Sequence, residues 1–412
     1  MTPSTPPTSS RRQQPPRRAT SRQSRQGPRA AVGAPDTRLP QQCVRVGSPT
    51  SLLAVIPGLL GFDPGQSIVV IGTEPGNGQV RVTLRYDVPD PARPTVVTAL
   101  AEHAVSLLAA QGVRTAVAAG YGTDAEIAPV IAALRERATE AGIALTELLR
   151  AENQRYWSYV CVDPECCPPE GTPFDVTRHP AARALRSAGY RVLAGRAALA
   201  ASVAAKGGQP GGVMRRATRE WLSQIGRCRS RLEDAGMRVS ASCLVAAIGQ
   251  VVVSDAIRRY RAGEPVPLDH AALLTVALGQ LRVRDDAWAR MEAEHRDAHR
   301  RLWTDLTRLA RPGFVAAPAA LLAFVGWQSG DGALGNVALD RALGDNPRYT
   351  MALLLREALD SGAPPFMARL PMTPEEVAAA YDAAEAAPEA VPDDDPPDPK
   401  ATTVAAGEVR RK

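Results

Sequence analysis

The residues of this chain best suited to chemistry stand together in YWSYVCVDPECCPPEGTPFD, Tyr156 to Asp175. Cys161, Cys166 and Cys167 fall within seven residues there, half of the six cysteines in a chain of 412. Thiolates bind metals and exchange with disulfides, so two chemistries are open. Structural zinc takes four N or S ligands in a tetrahedron. Cys161 and Cys166 could give two, and Cys167, His179 or Cys43 could complete the set, although no second C-x-x-C half accompanies them. A reversible disulfide would join Cys161 to Cys166 or Cys167; spacing alone does not decide the pairing. The plainer reading is that the thiols are packed as small apolar side chains. Asp163-Pro164 and Pro168-Pro169-Glu170-Gly171 force turns, which places the cluster on a loop, and loops carry function more often than cores do.

Aromatic residues gather in the same stretch. Tyr156, Trp157, Tyr159 and Phe174 are four of only eighteen in the chain. On a strand, Trp157 and Tyr159 share one face and Tyr156 takes the other. Such a face either lines a pocket or packs under the loop. Two other sets are weaker. His295 and His299 stand four apart with Glu292 nearby, a chelating spacing on a helix, yet His295 falls in the stripe Trp288, Met291, His295, Ala298, Leu302, which makes it a core-edge residue. Asp285-Asp286 reads as the N-terminal cap of a helix rather than an acid pair. The chain carries no G-x-S-x-G, H-E-x-x-H or dinucleotide-binding fingerprint.

The elements that must position these residues alternate. SIVVIG (Ser67 to Gly72) is a short apolar run ending at glycine, and QVRVTLRYDV (Gln79 to Val88) alternates apolar and polar positions, so the two read as a hairpin. A helix over Thr95 to Gly112, a strand over Thr115 to Gly122, a helix capped by Asp124 and ended by Gly142, and one or two strands up to Val160 follow. The pattern predicts an α/β domain over residues 44–205. AAKGGQPGG then reads as a Gly-rich linker at 206–212; it lacks the order of a phosphate-binding loop. Beyond it Met214, Ala217, Trp221, Ile225, Cys228 and Leu232 mark one helix face. The expectation for residues 213–370 is a mainly helical domain, with two or three further helices over Val239 to Leu309.

The ends differ from the middle. Residues 1–38 hold eight arginines and one acid, for a net of +7 against +6 for the whole chain, so the remainder is nearly neutral. This Arg/Pro/Ser-rich tail (1–43) reads as disordered, with the capacity to touch nucleic acid weakly through counterion release. Residues 371–412 form an acidic tail, disordered apart from a short helix over Glu375 to Ala387. No run of about 18 uncharged apolar residues occurs, so no membrane span is expected, and without an apolar leader segment the expected compartment is the cytoplasm.

Several segments in combination resemble one family: SPTSLLAVIPGLLGFDPGQSIVVIG, RYDVPDP, the Tyr156–Asp175 stretch, LGQLRVRDDAWARM and WQSGDG. The chain resembles the actinobacterial domain of unknown function family 4192 over about residues 48–365. That resemblance implies a cytoplasmic actinobacterial protein and supplies no reaction or cofactor. WQSGDGALGNVALDRALGDNPRY, within residues 320–349, resembles a single tetratricopeptide hairpin, with small residues that let two helices pack closely. One unit does not build the groove of a repeat array. The sequence therefore favours a non-enzymatic interaction or regulatory module with a protein partner. The alternative is an enzyme, or a redox or metal sensor with zinc as the cofactor, built on the Cys/aromatic loop.

Overall fold

The computed structural model describes residues 46–74, 78–236, 241–368 and 372–386. The basic tail at 1–43, with Cys43, and the acidic run after Ala386 lie outside the described residues. Helix α1 (Pro49–Leu60) opens the fold. Ser48 caps it reciprocally with Ser51, each side-chain oxygen taking the other's backbone N–H at 3.2 and 2.9 Å. Its face is apolar nearly all round. Leu53 and Ile56 enter the main core, and Ala54 and Val55 pack on α4 (Pro180–Ser187).

Six strands make one sheet in the order β2-β1-β3-β4-β5-β6. They are β1 (Ser67–Thr73), β2 (Val80–Asp87), β3 (Thr115–Tyr121), β4 (Ala144–Glu152), β5 (Arg155–Ser158) and β6 (Thr172–Pro173). Only β3 and β4 run parallel, joined by α3 (Asp124–Glu140); every other neighbouring pair is antiparallel. The alternation along each strand sorts its side chains. Ile68, Val70, Ala116, Ala118 and Leu148 face α2 (Pro94–Ala110) and α3, while Val69, Ile71, Ala119, Leu149 and Tyr156 face the opposite way into the larger core. The cap of α3 is Thr123, which exchanges hydrogen bonds with Glu126; Asp124, expected as the cap, is the first helical residue.

After the short helix α5 (Arg196–Ser202) the chain is helical. Residues 206–212, expected as a linker, do not stay extended. Helix α6 (Gly208–Asp234) begins inside them and buries Met214 and Thr218. Among the described residues four helices follow, where two or three were expected: α7 (Ala241–Arg261), α8 (Leu268–Ala277), α9 (Leu281–Ala289) and α10 (Arg296–Leu309). The apolar cluster that holds Val69 and Leu149 of the sheet continues into Trp303 and Phe324 of the helices.

Helices α11 (Ala316–Gln328) and α12 (Gly332–Asp345) form a tight hairpin. Asp345, at the far end of α12, accepts the N–H groups of Gly313, Val315 and Ala316 at 2.7, 2.9 and 3.1 Å, so the end of one helix caps the start of the other. Helix α13 (Thr350–Asp360) covers the pair. Helix α14 (Pro374–Ala386) lies on α9, where Tyr381 donates to Asp285 at 2.7 Å and Arg282 meets Asp382 at 2.6 Å. Among the described residues no helix is long and apolar enough to cross a membrane.

Of the two histidines, His295, expected at the core edge, is half-buried, and His299 lies deeper. The stripe through Trp288 and Met291 is interrupted by a 3-10 turn (Ala293–His295), and α10 restarts the phase at Arg296. His299 is therefore the buried one, 2% exposed, and neither ring nitrogen has a protein partner among the described residues. Burial, and then Arg261, lower its pKa from 6.5 to about 4. It is neutral in the fold and gains a proton more readily when unfolded. Its neutrality thus costs nothing above pH 6.5, and stability falls as pH drops from there toward 4. The expected loss is about 2 kcal/mol between pH 7 and pH 5. Urea midpoints at the two pH values measure it, and His299→Leu flattens the dependence.

Candidate functional site

The Cys/aromatic stretch is a lasso on the sheet edge. Strands β4 and β5 are joined by Asn153 and Gln154 at φ 49° and 59°, the two left-handed positions that a tight hairpin turn requires. The chain leaves the sheet after Ser158 and returns as β6, where Arg155 pairs with Pro173 and Tyr156 with Thr172. The loop is thus closed at its base by strand pairing.

Short polar contacts shape its interior. The Ser158 hydroxyl accepts the N–H groups of Val160 and Cys161, each at 3.1 Å, and donates to Glu147 at 3.1 Å. The Asp163 carboxylate accepts the Glu165 N–H at 2.9 Å, and its carbonyl accepts that of Cys167 at 2.7 Å. The two turns fold Cys166 and Cys167 back over Cys161. The three sulfurs come within 4.8 Å of one another. Cys161 and Cys167 are half-buried and Cys166 is exposed, and all three are free thiols. The Asp163 N–H directed at the Cys161 sulfur, followed by the Cys167 thiol, lowers the Cys161 pKa. Cys167 is pushed up to about 12 by burial and then by its hydrogen bonds to the other two. Cys161 therefore becomes a nucleophilic thiolate more readily than Cys167.

The aromatic residues divide as their alternation predicts. Tyr156 is buried and meets Phe174 edge to face at 6.1 Å on the core side. Trp157 turns to the other face. The guanidinium of Arg150, its cross-strand partner on β4, lies 3.6 Å from the ring centroid. The indole N–H donates to the Pro169 carbonyl at 2.9 Å. Gly171 lies against the ring: its φ is 81°, and an added Cβ would stand 2.5 Å from Trp157 Cε2. Only glycine satisfies both conditions. Arg155 donates to the Gly171 carbonyl at 2.7 Å. Tyr159 donates to Asp124 at 2.8 Å, and burial and then Asp124 raise its pKa.

The loop walls an open groove of about 470 Å³ against α3 and the start of β4, lined by Arg135, Leu145, Leu148, Tyr159, Val160 and Val162. Val162 is 94% exposed and Val160 48%. Strand β5 pairs with β4 only from Leu149 to Glu152, so the outer edge of β4 before Leu148 has no backbone partner among the described residues.

Sequence reasoning found the thiols and the rings but missed Arg150 and the groove. A lone arginine inside the run LLRAE of a strand was the available signal for the former. Of the proposed fourth ligands, Cys43 lies outside the described residues. His179 caps α4, its Nδ1 accepting the Ala181 N–H at 3.2 Å, and it does not join the thiols. His295 groups instead with Glu292 and Glu294 on an exposed turn, while Asp285 and Asp286 lie inside α9, where Asp286 is buried and takes Arg290 bidentately at 2.7 and 2.9 Å.

The fold and this edge define a two-part chain, a six-stranded α/β region followed by a helical one, with a thiol-bearing lasso at the sheet edge. The chain belongs to the family described as Domain of unknown function (DUF4192), which matches residues 49–366. No curated protein and no solved structure matches it.

Proposed function

We propose that this chain is a non-enzymatic regulatory module that binds a protein partner in the cytoplasm, with residues 156–175 as its sensing element. One observation carries the reading. The three thiols converge on the same loop whose Val160 and Val162 wall the groove beside the open edge of β4. Val162 lies between Cys161 and Cys166 in the chain, so chemistry at the sulfurs is transmitted to the groove wall. A groove with Leu145, Leu148, Val160 and Val162 in its lining, beside a free strand edge, suits an extended peptide, which gains backbone hydrogen bonds along the edge and side-chain burial in the groove. Free thiols suit a reducing compartment. The likeness of the α11–α12 hairpin to a tetratricopeptide unit supports an interaction role and adds no second groove.

Proximity labelling in the source organism tests this, with Val162→Asp compared with Val251→Asp, an exposed valine on α7. The expected result is a specific set of neighbours lost only in Val162→Asp. The same neighbours for both variants would refute the assignment of this surface.

A further inference from the structure

The lasso holds three sulfurs within reach of one another, one more than a single disulfide joins. This inference rests on the reading of the loop as a sensing element and names its ligand. We propose that Cys161, Cys166 and Cys167 bind one zinc ion through three thiolates, with the fourth position taken by water or an incoming ligand.

The distances fit a shared ion. Three thiolates each about 2.3 Å from a tetrahedral zinc stand about 3.8 Å from one another. The sulfurs already lie within 4.8 Å, so modest side-chain rotation closes the set. The backbone needs no change, because the turns built by Ser158 and Asp163 hold it by their own hydrogen bonds. The alternative within the cluster is poor for Cys166 and Cys167. Neighbouring residues across a trans peptide have Cα atoms about 3.8 Å apart, below the usual disulfide range of roughly 4.4–6.8 Å.

Electrostatics point the same way. The Asp163 N–H directed at the Cys161 sulfur spreads the charge of a thiolate there. Binding replaces three S–H bonds by three S–Zn bonds and releases three protons to solvent. An all-thiolate donor set selects zinc or copper(I) over magnesium, calcium and manganese, and a divalent ion leaves a net charge of −1 rather than −2 on the half-exposed cluster. Exposure of Cys166 gives the ion a path in. Once bound, the ion joins Cys161 to Cys166 across Val162 and fixes the groove wall.

The test uses the full-length chain purified with reductant and without chelator. Elemental mass spectrometry should find about one zinc per chain. In Cys161→Ser and Cys166→Ala the content should fall to about one-tenth or less, because two thiolates alone hold zinc weakly; Cys228→Ser, on α6, should keep it. Cobalt titration of the wild-type chain needs no variant to fold, and should give thiolate-to-cobalt charge transfer with intense tetrahedral d–d bands. Full zinc in all three variants, copper in place of zinc, or a cobalt spectrum without thiolate charge transfer would overturn the site. If zinc is absent but Val162→Asp still removes the partner, the regulatory reading stands without its metal. If zinc is bound and Val162→Asp changes nothing, the metal site stands and the partner reading falls.

Discussion

Replacing Trp157 with alanine should release the lasso from the sheet and cost the fold about 3 kcal/mol, the range for removing a large packed ring. The ring contacts Arg150, 3.6 Å from its centroid, and packs closely on Gly171. Its N–H also holds Pro169. Without it, the Arg150 side chain, 9% exposed, loses the aromatic face that covers it while keeping Glu152 at 2.6 Å. The loop should then open locally. Hydrogen exchange over residues 159–171 should accelerate, and Cys161, Cys166 and Cys167 should alkylate at similar rates. Trp157→Phe keeps the stack and loses one hydrogen bond, so it should cost about 1 kcal/mol. Unchanged exchange and unequal alkylation in Trp157→Ala would show that the ring does not hold the loop.

A second large effect is expected far from the loop. Helix α11 is buried from Ala316 through Gly326, and a Cβ at Gly326 would lie 2.7 Å from the Gly335 backbone nitrogen and 3.0 Å from the Asp331 carbonyl oxygen. Backbone atoms cannot rotate aside as a side chain can. Gly326→Leu should therefore separate α11 from α12 and cost about 3 kcal/mol or more, enough to lower the melting temperature by several degrees or to prevent recovery of soluble protein. Gly344→Ala, in α12 with open space around its Cβ, is the control. It should be neutral or stabilising by up to about 1 kcal/mol. Equal melting temperatures for Gly326→Leu and wild type would show that the hairpin is looser than this geometry.

How far the sequence announced this structure depends on the range of the forces involved. The β1–β2 hairpin and helices α2 and α3 were legible because apolar alternation, glycine ends and caps are local. The break between α9 and α10 was not, because the apolar stripe runs on through a turn that only packing imposes; the burial of His299 was missed as a result. The Gly-rich start of α6 read as a linker, since its helical form is fixed by Met214 in the core and not by propensity. Cysteine type and loop position were plain in the sequence. Pairing of Cys161 with Cys166 or Cys167 was open from the sequence; that all three converge was not legible, because it depends on Ser158 and Asp163 as turn formers and on a hairpin register set by Asn153 and Gln154. Arg150 was overlooked for the same reason: its partner Trp157 is assigned by that register.

Both the sensing role and the metal site require that the three thiols meet in solution. Arsenite answers this without reference to zinc, since one As(OH)₃ condenses with three thiols to As(SR)₃ and three waters only where all three converge. The full-length reduced chain is treated with arsenite, alkylated, and mapped by mass spectrometry. The account predicts one retained arsenic per chain, with Cys161, Cys166 and Cys167 all protected and Cys228 alkylated. Protection of Cys166 and Cys167 with Cys161 alkylated, or no retained arsenic, would contradict it.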